Sequence, residues 1–202
     1  MKNWMQSSLA AAVLSSVSAG AFAAPEPSDP SRQTPQGLYV TATEAWDMMQ
    51  KDDSVILVDV RTPEEWQFVG YTKEADIMLP AVMFDYSQMD TKQNKARYMP
   101  VQNNKWISQF EEIIFDKGYD GDNTYIIMCR SGATRAAPVA KMLDQYGFKD
   151  VYTMTDGFQG GRLKEGEDKG RRMKAGWINS GLPWTHKIDA EKVYFKAYGV
   201  NY

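Results

Sequence analysis

Two short, unbroken apolar runs constrain this chain more than any other feature. Val55-Ile56-Leu57-Val58 is flanked by Asp53 and Asp59, and Tyr125-Ile126-Ile127-Met128 ends directly at Cys129. A strand with one wet face alternates apolar and polar residues, whereas a continuous run marks a strand covered on both faces, as in parallel sheets. Between such runs the period changes from strand to helix. Trp106, Ile107, Phe110, Ile113 and Ile114 recur at helical spacing and stop at Lys117-Gly118, and Val139, Ala140, Leu143 and Tyr146 do the same before Gly147. Thr43 reads as the N-cap of a helix through Ala45, Trp46, Met48 and Met49, and Thr62-Pro63-Glu64-Glu65 as another start, with proline at the first helical position. Leu38-Tyr39-Val40, the weaker Ile77-Met78-Leu79 and a final Val151–Met154 complete the strands. Buried strands alternating with helices predict an α/β fold around a parallel sheet. Residues 83–104 are polar and long for a connection, and are expected to carry a lid or partner surface.

Composition narrows the function. Hydrophobic residues at 43% and charged residues at 24% are globular values. A net charge of −3 without a basic face argues against nucleic-acid partners. One histidine, His186, and one cysteine, Cys129, exclude multi-histidine metal centres, zinc ribbons and iron–sulfur ligation, so neither a metal nor another cofactor is expected. The twelve methionines are expected to fill gaps in the core. The mixed-charge stretch from Lys164 to Arg172 reads as a solvated loop, with a weak contribution from Arg171 or Arg172 to attracting anions.

The N-terminus has the pattern of a secretory signal over residues 1–23: Lys2, an apolar core from Leu9 to Val17, and the small-x-small site Ala21-Phe22-Ala23. Export to the periplasm without a membrane anchor after cleavage is therefore expected. Residues 24–37 read as a proline-rich, extended linker, 38–185 as one domain, and 186–202 as a tail with no assigned purpose.

Export sharpens the meaning of Cys129. Oxidising compartments hold cysteines in pairs, and a lone one in an exported chain is an intermolecular partner or a reactive group. It opens Cys129-Arg130-Ser131-Gly132-Ala133-Thr134-Arg135, between a strand and helix-forming residues. Backbone amides of such a loop and the helix dipole favour an anion, and the thiolate is the reactive form of cysteine. Arg130 and Arg135 would attract an anionic ligand, Ser131 and Thr134 can donate hydroxyl hydrogen bonds, and Gly132 permits a turn closed to residues with a Cβ. The bland alternative is a small buried hydrophobe; the flanking glycine and arginines speak against it. In parallel sheets ligands bind beyond the strands' carboxyl ends, where Cys129 falls.

These elements together resemble a known family. Asp59-Val60-Arg61-Thr62-Pro63-Glu64-Glu65-Trp66, Cys129-Arg130-Ser131-Gly132, Val151–Met154 leading to Gly157, and Gly176-Trp177 with Gly181-Leu182-Pro183-Trp184 are similar to the successive signatures of a rhodanese-like domain. The resemblance implies a three-layer sandwich: a central five-stranded parallel sheet with helices on both faces. It also implies sulfur transfer from a small anionic donor such as thiosulfate, through a persulfide on Cys129, to a thiol, a protein acceptor or cyanide. One departure stands out, because family members with this activity commonly read Cys-x-x-Gly-x-Arg, whereas here arginine comes one place later. Either Thr134 closes a six-residue loop, or the loop has seven residues and ends at Arg135. The wider form resembles the cradle of cysteine phosphatases and implies phosphatase or arsenate-reductase-like chemistry as an alternative, with Asp85, Asp90 and Asp156 as the carboxyls available for a leaving-group acid. A binding module without turnover is a third reading. Asp59 and Arg61 are candidates for supporting the cleft, with a structural tie across the first crossover as the favoured role. Glu65 and Trp66 are read as helix-packing residues, His186 as a surface residue, and Trp177 and Trp184 as packing anchors.

Overall fold

The structure is a computed structural model, and it describes residues 24–92 and 96–194. The expected signal at 1–23 lies outside the described residues. The central sheet has five strands, β1 (Tyr39–Val40), β2 (Ile56–Asp59), β3 (Ile77–Met78), β6 (Tyr125–Met128) and β7 (Val151–Met154), in the order β1-β7-β6-β2-β3. Every pairing is parallel. The continuous apolar runs form its middle: Ile56–Asp59 pairs residue for residue with Tyr125–Met128, and both strands are buried throughout.

Successive side chains of β2 enter different cores, as a period of two requires. Ile56 and Val58 face one cluster with Phe110, Ile113, Val139 and Leu143, supplied by α3 (Trp106–Lys117) and α4 (Ala136–Gln145). Leu57 faces the other, with Ala45 of α1 (Ala42–Met49) and Trp66 of α2 (Pro63–Val69), joined by Phe158 and Trp177. Helices therefore cover both faces, and the expected three-layer α/β sandwich is observed. Among the described residues no helix is long and apolar enough to cross a membrane.

Local signals fix the helix ends. α2 starts as expected: Thr62 caps it, Pro63 holds the first position, and Glu65 closes a capping box. α3 stops at Gly118 in a left-handed conformation. α1 begins two residues earlier than expected. Its cap is Thr41, not Thr43, because Glu44 stands three residues after Thr41 and accepts from the Thr41 amide at 2.7 Å.

Three segments depart from expectation. Residues 24–37 lie against the domain instead of trailing from it. The Ala24 amide donates to the Tyr39 carbonyl at 3.0 Å, the Thr34 amide to the Tyr39 hydroxyl at 2.8 Å, and Gln36 Nε2 to the Ala140 carbonyl at 2.8 Å. The tail continues the domain as far as Tyr194. The Tyr71 hydroxyl donates to the Lys187 carbonyl, and Val193 bridges Met78 at the β3 edge. Residues 83–104 contain an antiparallel ribbon, β4 (Val82–Asp90) and β5 (Arg97–Gln102), with a register shift between Asp85 and Met89. The stretch read as a solvated loop is a mostly exposed turn, and it joins the strands of a smaller ribbon, β8 (Gly161–Arg162) and β9 (Arg172–Lys174).

Candidate active site

Cys129 follows β6 immediately, at the carboxyl edge of the sheet, and forms the floor of an open cleft of ≈ 700 Å³. The residue is only 1% exposed and packs within the core cluster that holds Val60, Ile127 and Ala136, with the cleft along its other side. Arg130, Ser131, Ala133, Thr134 and Arg135 also line this cleft. Gly132 does not, because it turns beneath the loop. At φ +63° a Cβ there would stand 2.0 Å from the Thr155 carbonyl oxygen, which only glycine avoids. Gly157 supports the loop from below in the same way, since a Cβ at its φ of +63° would stand 2.4 Å from the Cys129 carbonyl oxygen. That approach lets the Phe158 amide donate to the Cys129 carbonyl, and the Gln159 amide to the Arg130 carbonyl, both at 2.8 Å.

Two of the loop carbonyls, those of Cys129 and Arg130, are thus held by the segment beneath it. Among the described residues, none of the amides of Arg130 to Arg135 donates to a protein acceptor. Unpaired N–H groups at a helix start suit an anion. Helix α4 begins at Ala136, and Arg135 is its N-cap with non-helical φ −122°. The loop therefore has seven residues and closes at Arg135, the wider of the two forms.

Glu65 sets the electrostatics. Its carboxylate accepts from Arg135 Nη2 at 2.9 Å and also from Nη1, while Arg130 Nε lies 3.9 Å away. Burial pushes the Glu65 carboxyl up, but the hydrogen bonds and charge of Arg135 outweigh it, and the group is held below its ordinary value. Burial pulls Arg135 down, and Glu65 first, then the charges of Cys129 and Asp59, raise it above the ordinary arginine value. Arg130 is lowered by burial and by Arg135, Arg162 and Arg61 against the single attraction of Glu65. Positive charge thus exceeds negative charge around the sulfur. The Arg130 guanidinium is oriented by Gln159, whose Oε1 accepts from Nε at 2.7 Å.

Asp59 and Arg61 are fully buried and do not line the cleft. Arg61 Nε donates to both Asp59 oxygens at 3.0 Å, Nη2 to Asp59 Oδ2 at 2.6 Å and Nη1 to the Gly70 carbonyl at 3.0 Å. Its guanidinium lies 3.7 Å from the centre of the Phe158 ring. The pair therefore acts through Phe158, whose backbone holds the Cys129 carbonyl. Among the residues read as structural, Trp66 and Trp177 are buried and His186 is exposed; Trp184, 42% exposed, stacks edge-on with His186. Glu65 is misjudged, because a capping-box glutamate looks complete in sequence, whereas here its Oε2 serves both the Thr62 amide and Arg135 and its Oε1 accepts from Arg135 as well. The ribbons contribute walls: Val82, Phe84, Arg97 and Pro100 from β4 and β5, which sequence reasoning missed, and Arg172 from β9, one of the two arginines read as weak anion attractors, beside Phe68 and Val69 of α2. Asp85, Asp90 and Asp156 are absent from the lining; Asp85 accepts from Ser87, Asp90 pairs with Arg97, and Asp156 accepts from the Ala42 and Gly176 amides. Among the described residues no group of three histidine, cysteine, aspartate or glutamate side chains is placed to hold a metal ion.

A cysteine loop at the carboxyl edge of a parallel sheet, closed by arginine and backed by a buried Asp–Arg pair, defines a thiol-bearing α/β domain. The chain belongs to the rhodanese-like domain family, whose model matches residues 41–164. It is 34% identical over 146 residues to uncharacterized proteins of Rickettsia rickettsii and Rickettsia conorii, a match covering 72% of this chain and 94% of each relative. Among solved structures it is similar to Rv0390 from M. tuberculosis, with a TM-score of 0.51, 25% identity, and coverage of 72% of this chain and 95% of that one.

Proposed function

We propose that this protein is a sulfurtransferase that carries a sulfane sulfur as a persulfide on Cys129. The supporting observation is that Cys129 lines an open cleft, in a loop whose amides have no protein acceptor among the described residues, and that arginines outnumber carboxylates in the cleft lining. In the reaction the Cys129 thiolate attacks the outer sulfur of thiosulfate. The sulfur–sulfur bond of the donor breaks, its electron pair leaves with sulfite, and a new Sγ–S bond forms. An acceptor thiolate or cyanide then attacks the outer sulfur and returns Cys129 as thiolate. No proton has to move, so no general base is required. The loop amides hold the persulfide's negative charge, and Arg130 and Arg135 stabilise the departing sulfite.

The proposal includes export to the periplasm, on the pattern of residues 1–23. N-terminal sequencing of the protein from a periplasmic fraction should begin at Ala24; material beginning at Met1 contradicts it. A steady-state assay tests the chemistry: thiocyanate should accumulate from thiosulfate and cyanide, and not with Cys129→Ser. The seven-residue loop favours one competing reading, hydrolysis or reduction of a tetrahedral oxyanion ester or arsenate. Against it, no aspartate lines the cleft as leaving-group acid. Turnover of an aryl phosphate without thiocyanate formation would decide for that reading.

A further inference from the structure

The family match ends at residue 164, yet the cleft does not. Arg172, the first residue of β9, lines it together with Cys129 and Arg130. The placement is fixed: Arg172 Nη1 donates to the Gly160 carbonyl at 2.7 Å, and the short β8–β9 ribbon ties its backbone to Arg162. Its Nε is buried and has no hydrogen-bond partner among the described residues. A buried donor on a guanidinium is costly to leave unpaired, and more so beside other positive charge. Burial first, and then the charges of Arg130 and Arg162, hold Arg172 below the ordinary arginine value, with Glu65 as the one opposing attraction. Glu65 is already committed to Arg135 by two hydrogen bonds.

We propose that Arg172 is a specificity-determining residue: with Arg130 it forms a subsite for the sulfonate end of the donor, leaving the donor's sulfane sulfur on Cys129. This rests on the sulfur-transfer reading and narrows its substrate class to sulfur oxyanions carrying a terminal –SO3 group, as opposed to persulfides of thiols, which lack the oxygens that a guanidinium binds in pairs. The ribbon that carries Arg172 is thus a device added to the family domain to select the donor.

Two measurements test it at fixed, low ionic strength. In the first, the rate at which thiosulfate loads Cys129 is followed against thiosulfate concentration. Arg172→Gln should raise the half-saturating concentration about ten- to a hundredfold, the range for losing charge-assisted hydrogen bonds, and leave the saturating rate within about twofold. Arg172→Lys should recover part of the loss, whereas Lys174→Gln on the same ribbon should change nothing. In the second, sulfate, the probe for the sulfonate end, is titrated by calorimetry into Cys129→Ser and into Cys129→Ser with Arg172→Gln. Sulfate should bind the first and bind the second at least tenfold more weakly. Normal loading by Arg172→Gln with an unchanged half-saturating concentration overturns the inference and leaves the sulfurtransferase reading intact. Arg172-dependent sulfate binding by a protein that thiosulfate never loads does the reverse: the anion subsite stands, and the donor assignment fails with the reaction.

Discussion

The floor and the walls of the cleft are built in opposite ways. The floor is the seven-residue loop, and almost everything beneath it is buried and bonded: Asp59 and Arg61 at 0% exposure, Phe158 against the guanidinium, and Gly132 and Gly157 where no side chain fits. The walls are two-stranded ribbons that stand outside the central sheet. β4 and β5 are half-buried or exposed along nearly their whole length, with Tyr86 57% and Tyr98 49% exposed. Buried, satisfied networks have one arrangement and high cost of change, while exposed ribbons tolerate change cheaply. On the proposed function, the chemistry belongs to the rigid floor and the choice of ligand to the walls.

That contrast predicts a gradient of mutational effects. The largest belongs to Asp59→Ala, which strands the fully buried Arg61 guanidinium. The expected cost is about 3–5 kcal/mol of stability, measured by urea denaturation, and replacing both residues with apolar ones should cost less than either single change. An exposed-site cost below about 0.5 kcal/mol would break the distinction between floor and walls. Gly157→Ala comes next. With φ at +63° and a Cβ 2.4 Å from the Cys129 carbonyl, the loop must shift, and sulfur loading should fall at least a hundredfold while the protein still folds. Near-normal loading would show that the loop's geometry is not what the reaction needs.

Glu65 lies between the two regimes. Glu65→Gln keeps the size and removes the charge that orients Arg135, so loading should slow about tenfold, with partial recovery at higher thiosulfate. The same pair imposes a pH dependence. Because the folded carboxyl is held below its unfolded value of 4.5, its stabilisation is complete above that pH and is lost as pH falls through the lowered value. Wild type should thus lose stability on acidification in that window by more than Glu65→Gln does; parallel curves would remove Glu65 from the account. The smallest effect belongs to the exposed part of the β4–β5 ribbon outside the cleft lining: Tyr98→Ser should change stability by no more than about 0.5 kcal/mol, and thiosulfate loading not at all.

The same contrast separates what the sequence made legible from what it hid. Strands β2 and β6 were readable because burial on both faces demands Val, Ile, Leu and Met without interruption, and the Cys129 loop because a thiol between glycine and arginines has few structural uses. The β4–β5 ribbon was not readable, since strands exposed on both sides carry no consistent alternation and Pro100 interrupts β5. Arg172 was only half legible for a related reason: in a run of mixed charges that reads as solvated, it and Arg171 suggested no more than a weak pull on anions, and only the ribbon fold brings one of them, Arg172, to the cleft. Residues 24–37 misled through their prolines, which suit an extended linker and equally suit a segment laid along a surface. Glu65 was assigned one role where its position allows two.

The most direct measurement is the intact mass of the protein after brief exposure to thiosulfate and removal of excess reagent. The account predicts a gain of one sulfur atom, about 32 Da, on the peptide containing Cys129, lost on adding cyanide and absent from Cys129→Ser. An unchanged mass in wild type, or an equal gain in Cys129→Ser, would contradict it.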